Sequence, residues 1–131
     1  MSMKIVFPGG LRVDALYKGH TIHTDQPLES GGEGSAPSPF DLFLASLGTC
    51  AGFYVLAFCQ TRKIPTDDVS LVLTAVRDET KHRVARVEIE ILLPRDVPPE
   101  TASACERAAM QCAVARHLVE APAVIVKAAR R

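Results

Sequence analysis

The residues of this 131-residue chain best suited to covalent chemistry are four cysteines, at positions 50, 59, 105 and 112. A thiolate is a nucleophile and a soft metal ligand, whereas a buried neutral thiol is only a small hydrophobe, so position decides which each one is. The gaps of 9, 46 and 7 positions contain no Cys-x-x-Cys and fit no zinc spacing. No metal and no other cofactor is therefore expected. Cys50 and Cys59 both lie in LFLASLGTCAGFYVLAFC, residues 42–59, which carries no formal charge. On a helix, nine residues amount to about 13.5 Å of rise and about half a turn of rotation. These two thiols face opposite ways and cannot form a disulfide. Cys105 and Cys112 share a face of their helix, if it is continuous, but stand about 10.5 Å apart along it. Any reacting pair must join the two helices.

Local context narrows the choice without settling it. Cys50 sits in SLGTCAG, where small neighbours leave room for a substrate or for another chain. Cys112 lies between ERAAMQ and AVARH, near an expected helix end, where movement is easiest. Cys59 and Cys105 read as core filler, a common fate for cysteine. The other chemical candidates are weaker. His20 and His23, three apart in a strand, point to opposite faces and do not make a joint metal site. His117 reads as a surface or interface residue. GGEGSAPSP lacks the Gly-Lys-Ser/Thr that would make it a phosphate loop.

The elements that must position these thiols follow from pattern. KIVF (4–7), LRVDALY (11–17) and HTIHTD (20–25) read as three strands separated by Gly-containing turns. QPLESGGEGSAPSP (26–39) is the longest loop, and long ordered loops are often functional. Ser38 and Pro39 occupy the N-cap and first-turn positions of a helix that runs to about Arg62, with Pro65 beyond it. Residues 69–77 and 83–93 read as a hairpin around DETKH, with Ala85, Val87, Ile89, Ile91 and Leu93 on one face of its second strand. A second helix is expected from Pro99 to about Cys112, with a short helical continuation through AVARHLVE. PAVIVKA (122–128) reads as a closing strand. This order is α+β rather than a βαβ alternation, in one domain spanning 1–131.

Fifteen basic and fifteen acidic side chains leave no net charge. That argues against nucleic acid, which is bound by clustered cations; KAARR at 127–131 is the only basic cluster. MSMKIVFPGG shows no charged start followed by an apolar run, so a cytoplasmic location with reduced thiols is expected. Residues 42–59 approach the length of a membrane span. Ser46, Gly48, Thr49 and Gly52 dilute them, and the flanking strands need a helix to cover them. The expectation is a buried helix, no membrane partner, and a second copy of the chain covering the face left over.

The stretch GGEGSAPSPFDLFLASLGTCAG (31–52) resembles the signature of the OsmC/Ohr family: a Gly-rich loop, a Pro, an acidic-Leu step and a cysteine eleven positions after the Pro. AAMQCAVARHLVEAP resembles the family's second cysteine element, and the order of strands and helices extends the likeness over nearly the whole chain. Within the family the chain looks closer to the short OsmC-like branch than to the organic hydroperoxide resistance proteins proper. The resemblance implies an OsmC/Ohr-like fold, with antiparallel sheets packed around a long central apolar helix in an intertwined homodimer. It also implies a cysteine peroxidase acting on organic hydroperoxides and recycled by a dithiol reductant. By position, Cys50 would be the peroxidatic cysteine and Cys112 the resolving one. Arg12, in GGLR, would be the cation that stabilises the thiolate, and Phe40, Phe43, Phe53 and Tyr54 would form an apolar wall for the substrate. Two positions depart from the pattern. Phe40 stands where the family has a Glu, with the acid one later at Asp41, and Arg12 is displaced by one. These departures keep a second reading open: a non-catalytic dimer that binds an apolar ligand or senses electrophiles.

Overall fold

The computed structural model describes residues 1–130; Arg131, the end of the basic cluster, lies outside them. The chain forms two compact units, Met1–Ala45 and the remainder from Ser46.

The first unit is an antiparallel sheet of order β1-β2-β3, made of β1 (Lys4–Gly9), β2 (Arg12–Tyr17) and β3 (His20–Thr24). Lys18 and Gly19 both take positive φ, 48° and 78°, the tight hairpin turn that matches strand twist. Asp14 and His23 face each other across β2 and β3, and His23 Nδ1 meets the Asp14 carboxylate at 3.1 Å.

The long loop is organised by one buried carboxylate. Asp25 is 1% exposed. It accepts from the Gln26 N–H (2.8 Å), the Ser35 N–H (3.0 Å) and the Ser35 hydroxyl (2.6 Å). Its own N–H donates to the Pro37 carbonyl at 3.2 Å, so both ends of the loop are tied at one residue. The loop closes tightly enough that a methyl group at Gly32 would land on the Gln26 carbonyl. The Ser35 hydroxyl and N–H, with the neighbouring amides, hold the Asp25 carboxyl down from 3.8 to about 2.

The helix α1 (Pro39–Thr61) begins at a reciprocal cap. The Asp41 N–H donates to Ser38 Oγ (3.2 Å) and the Ser38 N–H donates to Asp41 Oδ2 (3.1 Å). The helix ends where Lys63 turns to φ 57° and the Ile64 N–H returns to the Cys59 carbonyl at 2.8 Å.

In the second unit, β4 (Ser70–Asp78) and β5 (Arg83–Leu92) form an antiparallel hairpin. α1 lies against it along the stripe Leu47, Ala51, Val55 and Cys59, one residue per turn. Val55, Cys59 and Cys105 form the innermost cluster, packed against Leu71, Ile91, Leu93 and Ala109. β5 departs from strict alternation at one place. Val76 pairs with Arg86 and Arg77 with Val84, which leaves Ala85 unpaired as a bulge. Ala85 is therefore exposed, and Val84 takes its place on the inner face.

Two expectations need correction. The second helix is not continuous to Cys112: α2 is Pro99–Ala109, and α3 is Ala113–Val119. The expected strand at 122–128 is absent, and Val124, Ile125 and Val126 are more than 80% exposed. A strand requires a neighbouring edge for its N–H and C=O groups, and these residues pair with none in the single chain.

The depressed carboxyl predicts how acid acts on the loop. Because folding lowers the pKa of Asp25, its contribution is complete above about pH 3.8 and is lost as pH falls toward about 2. Asp25→Asn should lower stability at neutral pH and flatten the acid limb of a pH–stability curve followed by denaturant melts. An unchanged acid limb would rule the mechanism out.

Candidate active site

Cys50 is half-buried on α1, off the stripe that faces the hairpin. Its surroundings come from the break between α2 and α3. The Met110, Gln111 and Cys112 N–H groups fold back onto the Glu106, Ala108 and Ala109 carbonyls, and Cys112 then leaves the helical conformation (φ −47°, ψ 119°). Cys112 serves as the N-cap of α3. Its Sγ accepts from the Ala115 N–H at 3.5 Å, in place of the usual Ser or Asp oxygen. Cys112 is buried, and its Sγ lies 4.0 Å from the Leu47 carbonyl of α1.

This turn presents its first amides to Cys50. The Val114 N–H, the Cys112 thiol and the Ala113 N–H all favour the Cys50 anion, and the Arg116 charge adds a smaller effect. Together they outweigh burial and hold the Cys50 thiol below the ordinary thiol range. A helix start beside a sulfur is an established way to favour a thiolate. The fold thus brings Cys50 and Cys112 into contact, both as free thiols.

The other pair has the opposite chemistry. Cys59 and Cys105 are fully buried in the core, and burial pushes both thiols up. For Cys105 the nearby Cys59 and Glu106 add to the effect, while Arg62 opposes it. Each is a packing residue, inert while the core is closed.

The remaining predicted residues are placed as follows. Arg12 bends over its own hairpin turn, its Nε donating to the Gly9 carbonyl at 3.2 Å. Phe40 and Phe43 form a tilted pair with centroids 5.4 Å apart, and Phe53 and Tyr54 form an edge-to-face pair at 5.4 Å. Phe53 is 61% exposed. A groove in the second unit, between Arg62–Asp68 and Pro94–Thr101, includes none of the four aromatic residues. Sequence reasoning missed the α3 amides and Arg116. Their only signal was the position of AVARH immediately after Cys112, a run that reads equally well as ordinary helix.

The model of OsmC-like proteins matches residues 32–127 of the chain, which include both Cys50 and Cys112. The chain belongs to the OsmC-like family. Arg12 falls outside the matched residues. Among solved structures, one similar to this chain is a candidate osmotic stress induced and detoxification response protein from Psychrobacter arcticus 273-4. It is 27% identical, with TM-score 0.75 over 88% of this chain and 86% of that one. A hypothetical protein from Aquifex aeolicus VF5 shares the fold at 16% identity, with TM-score 0.71 over 92% and 87% of the two chains. An organic hydroperoxide resistance protein OsmC from Legionella pneumophila shares it at 20% identity, with TM-score 0.58 over 90% and 89%. No curated protein matches the sequence. The α+β architecture of antiparallel sheets and helices is that of the OsmC-like family.

The contrast between the two thiol pairs predicts an order of reaction. Iodoacetamide applied to the reduced native protein should modify Cys50 first at slightly acidic pH, with Cys59 and Cys105 protected until denaturant opens the core. Peptide mapping by mass spectrometry reads this directly, and early modification of Cys59 would overturn the assignment of buried roles.

Proposed function

We propose that this member of the OsmC-like family is a thiol-dependent peroxidase that reduces organic hydroperoxides. The observation that supports it is the contact between Cys50 and Cys112, with amide N–H groups and a cation favouring the Cys50 thiolate. In the reaction, the thiolate attacks the distal oxygen of the hydroperoxide. An S–O bond forms, the O–O bond breaks, and the alkoxide leaves as an alcohol after taking a proton. Cys50 becomes a sulfenic acid. The Cys112 sulfur then attacks the Cys50 sulfur, water leaves, and a disulfide remains. A dithiol reductant restores both thiols by exchange. The overall balance is one hydroperoxide and one dithiol converted to alcohol, water and a disulfide. A stress-response role accords with the name of the Psychrobacter relative.

The substrate preference is assigned to Phe40, Phe43, Phe53 and Tyr54, because an apolar wall rewards a hydrocarbon tail by about 0.8 kcal/mol per buried CH₂. Such a wall needs cover. Phe40, Phe53 and Leu56 of α1 are exposed in the single chain, as are Val124, Ile125 and Val126. We assign this cover to a second copy, as a cytoplasmic homodimer with α1 at its centre. α1 is long and apolar enough to cross a membrane, but its buried stripe against β4 and β5 supports a water-soluble dimer. A second reading, a binding or electrophile-sensing module without turnover, is favoured by Phe40 in place of the family Glu.

Alkyl hydroperoxide should drive consumption of a reducing dithiol by the wild type. Cys50→Ser should abolish it. Cys112→Ser should allow a single turnover and then accumulate sulfinic acid at Cys50, seen as a mass gain of two oxygens. Saturable apolar-ligand binding without turnover would instead establish the second reading. For the assembly, light scattering should give twice the chain mass for wild type and the single-chain mass for Phe53→Asp.

A further inference from the structure

We propose that Cys112 is a redox-sensitive cap: forming the Cys50–Cys112 disulfide uncaps α3 and loosens the chain beyond it. This rests on the reading of Cys50 and Cys112 as the reacting pair. In the thiol form the Cys112 sulfur makes two contacts. Its S–H donates to the Leu47 carbonyl of α1 at 4.0 Å, and the sulfur accepts from the Ala115 N–H at 3.5 Å, closing the first turn of α3. A helix carbonyl points toward the turn that carries residues i+3 and i+4, so the Leu47 contact by itself sets Cys112 on the turn of α1 that bears Cys50. Cys112 is also the last buried residue of the described chain, at 3% exposure. α3 has seven residues, none of them buried, and every described residue after Ala115 is exposed. A helix that short, with so little packing, depends on its cap.

Disulfide formation removes both contacts. The S–H proton is gone, so nothing donates to Leu47. The sulfur is drawn to about 2.05 Å from its partner with a restricted dihedral, which takes it off the Ala115 N–H. Residue 112 stays tethered to α1 through the S–S bond, while α3 loses the acceptor that closed its first turn. Uncapping opens the cover over a sulfur that is buried in the thiol form, one of the two that a dithiol can attack to reset the pair.

Diamide makes the disulfide without peroxide, taking the two thiol hydrogens into its hydrazine, so the test needs no turnover. Amide hydrogen exchange read by mass spectrometry compares the reduced and oxidised protein over peptides covering residues 113–119. Exchange there should be about threefold faster after oxidation, the size expected of losing a weak cap, while peptides from β4 and β5 stay unchanged. Cys50→Ser, which cannot form the disulfide, should show no response to diamide. Cys112→Ala should exchange fast with or without diamide, and Cys112→Ser, whose hydroxyl caps a helix, slowly in both. A Cys50–Cys112 disulfide confirmed by peptide mapping, with exchange in α3 unchanged or slowed, would overturn the proposal, as would failure of diamide to join the two cysteines. If the disulfide loosens α3 while alkyl hydroperoxide gives no turnover, the peroxidase reading fails and this inference stands.

Discussion

A 23-residue helix that is apolar on every face must be covered, and the second unit is arranged around that requirement. The β4–β5 hairpin covers one stripe of α1, through Leu47, Ala51, Val55 and Cys59. A two-stranded hairpin is barely stable in water by itself, so hairpin and helix depend on each other. The same constraint sorts the cysteines. Cys59 falls on the covered stripe and becomes core. Cys50, about half a turn away around the axis, falls on a flank that the α3 turn reaches.

Opposite chemistry in two thiol pairs follows from what lies beside each sulfur, since the cysteine side chain is the same. Around Cys59 and Cys105 the neighbours are mainly hydrocarbon, which penalises a charge, so the thiols stay neutral. Around Cys50 the neighbours are amide N–H groups, a thiol and an arginine, all of which favour the anion. The break between α2 and α3 makes the difference. Had the helix run on, the Ala113 and Val114 N–H groups would have been bonded within it. Breaking it frees them for the Cys50 sulfur.

Much of this was legible in the sequence. The alternation of β5 from Val87 to Ile91, the Ser38–Pro39 helix start and the opposition of Cys50 and Cys59 are local or periodic features, and each appears where pattern places it. What was not legible depends on partners distant in sequence. No Gly or Pro marks the break after Ala109, and Met, Gln and Ala are good helix formers, so propensity argued for continuity. The bulge at Ala85 is a matter of register against β4, which alternation within one strand does not reveal. Val124–Val126 have strand-forming composition, which led to the expected closing strand, but a strand is a pairing, and these residues find no edge in the single chain. Asp25 could be seen as an acid before a loop, yet its burial and its bonds to Ser35, ten residues on, emerge only from the loop's closure.

The two departures from the family pattern have a common physical reading. With Phe40 in the second helical position, the acid moves to Asp41, the third, where a carboxylate can reach back to the cap. Asp41 does so, accepting from the Ser38 N–H. An acid that starts a helix has a carboxylate oxygen committed to the cap. Arg12 donates to the Gly9 carbonyl within its own turn. The groups that favour the Cys50 anion come instead from the segment after α2, chiefly the Val114 N–H and the Cys112 thiol, with the Arg116 charge the smallest contribution.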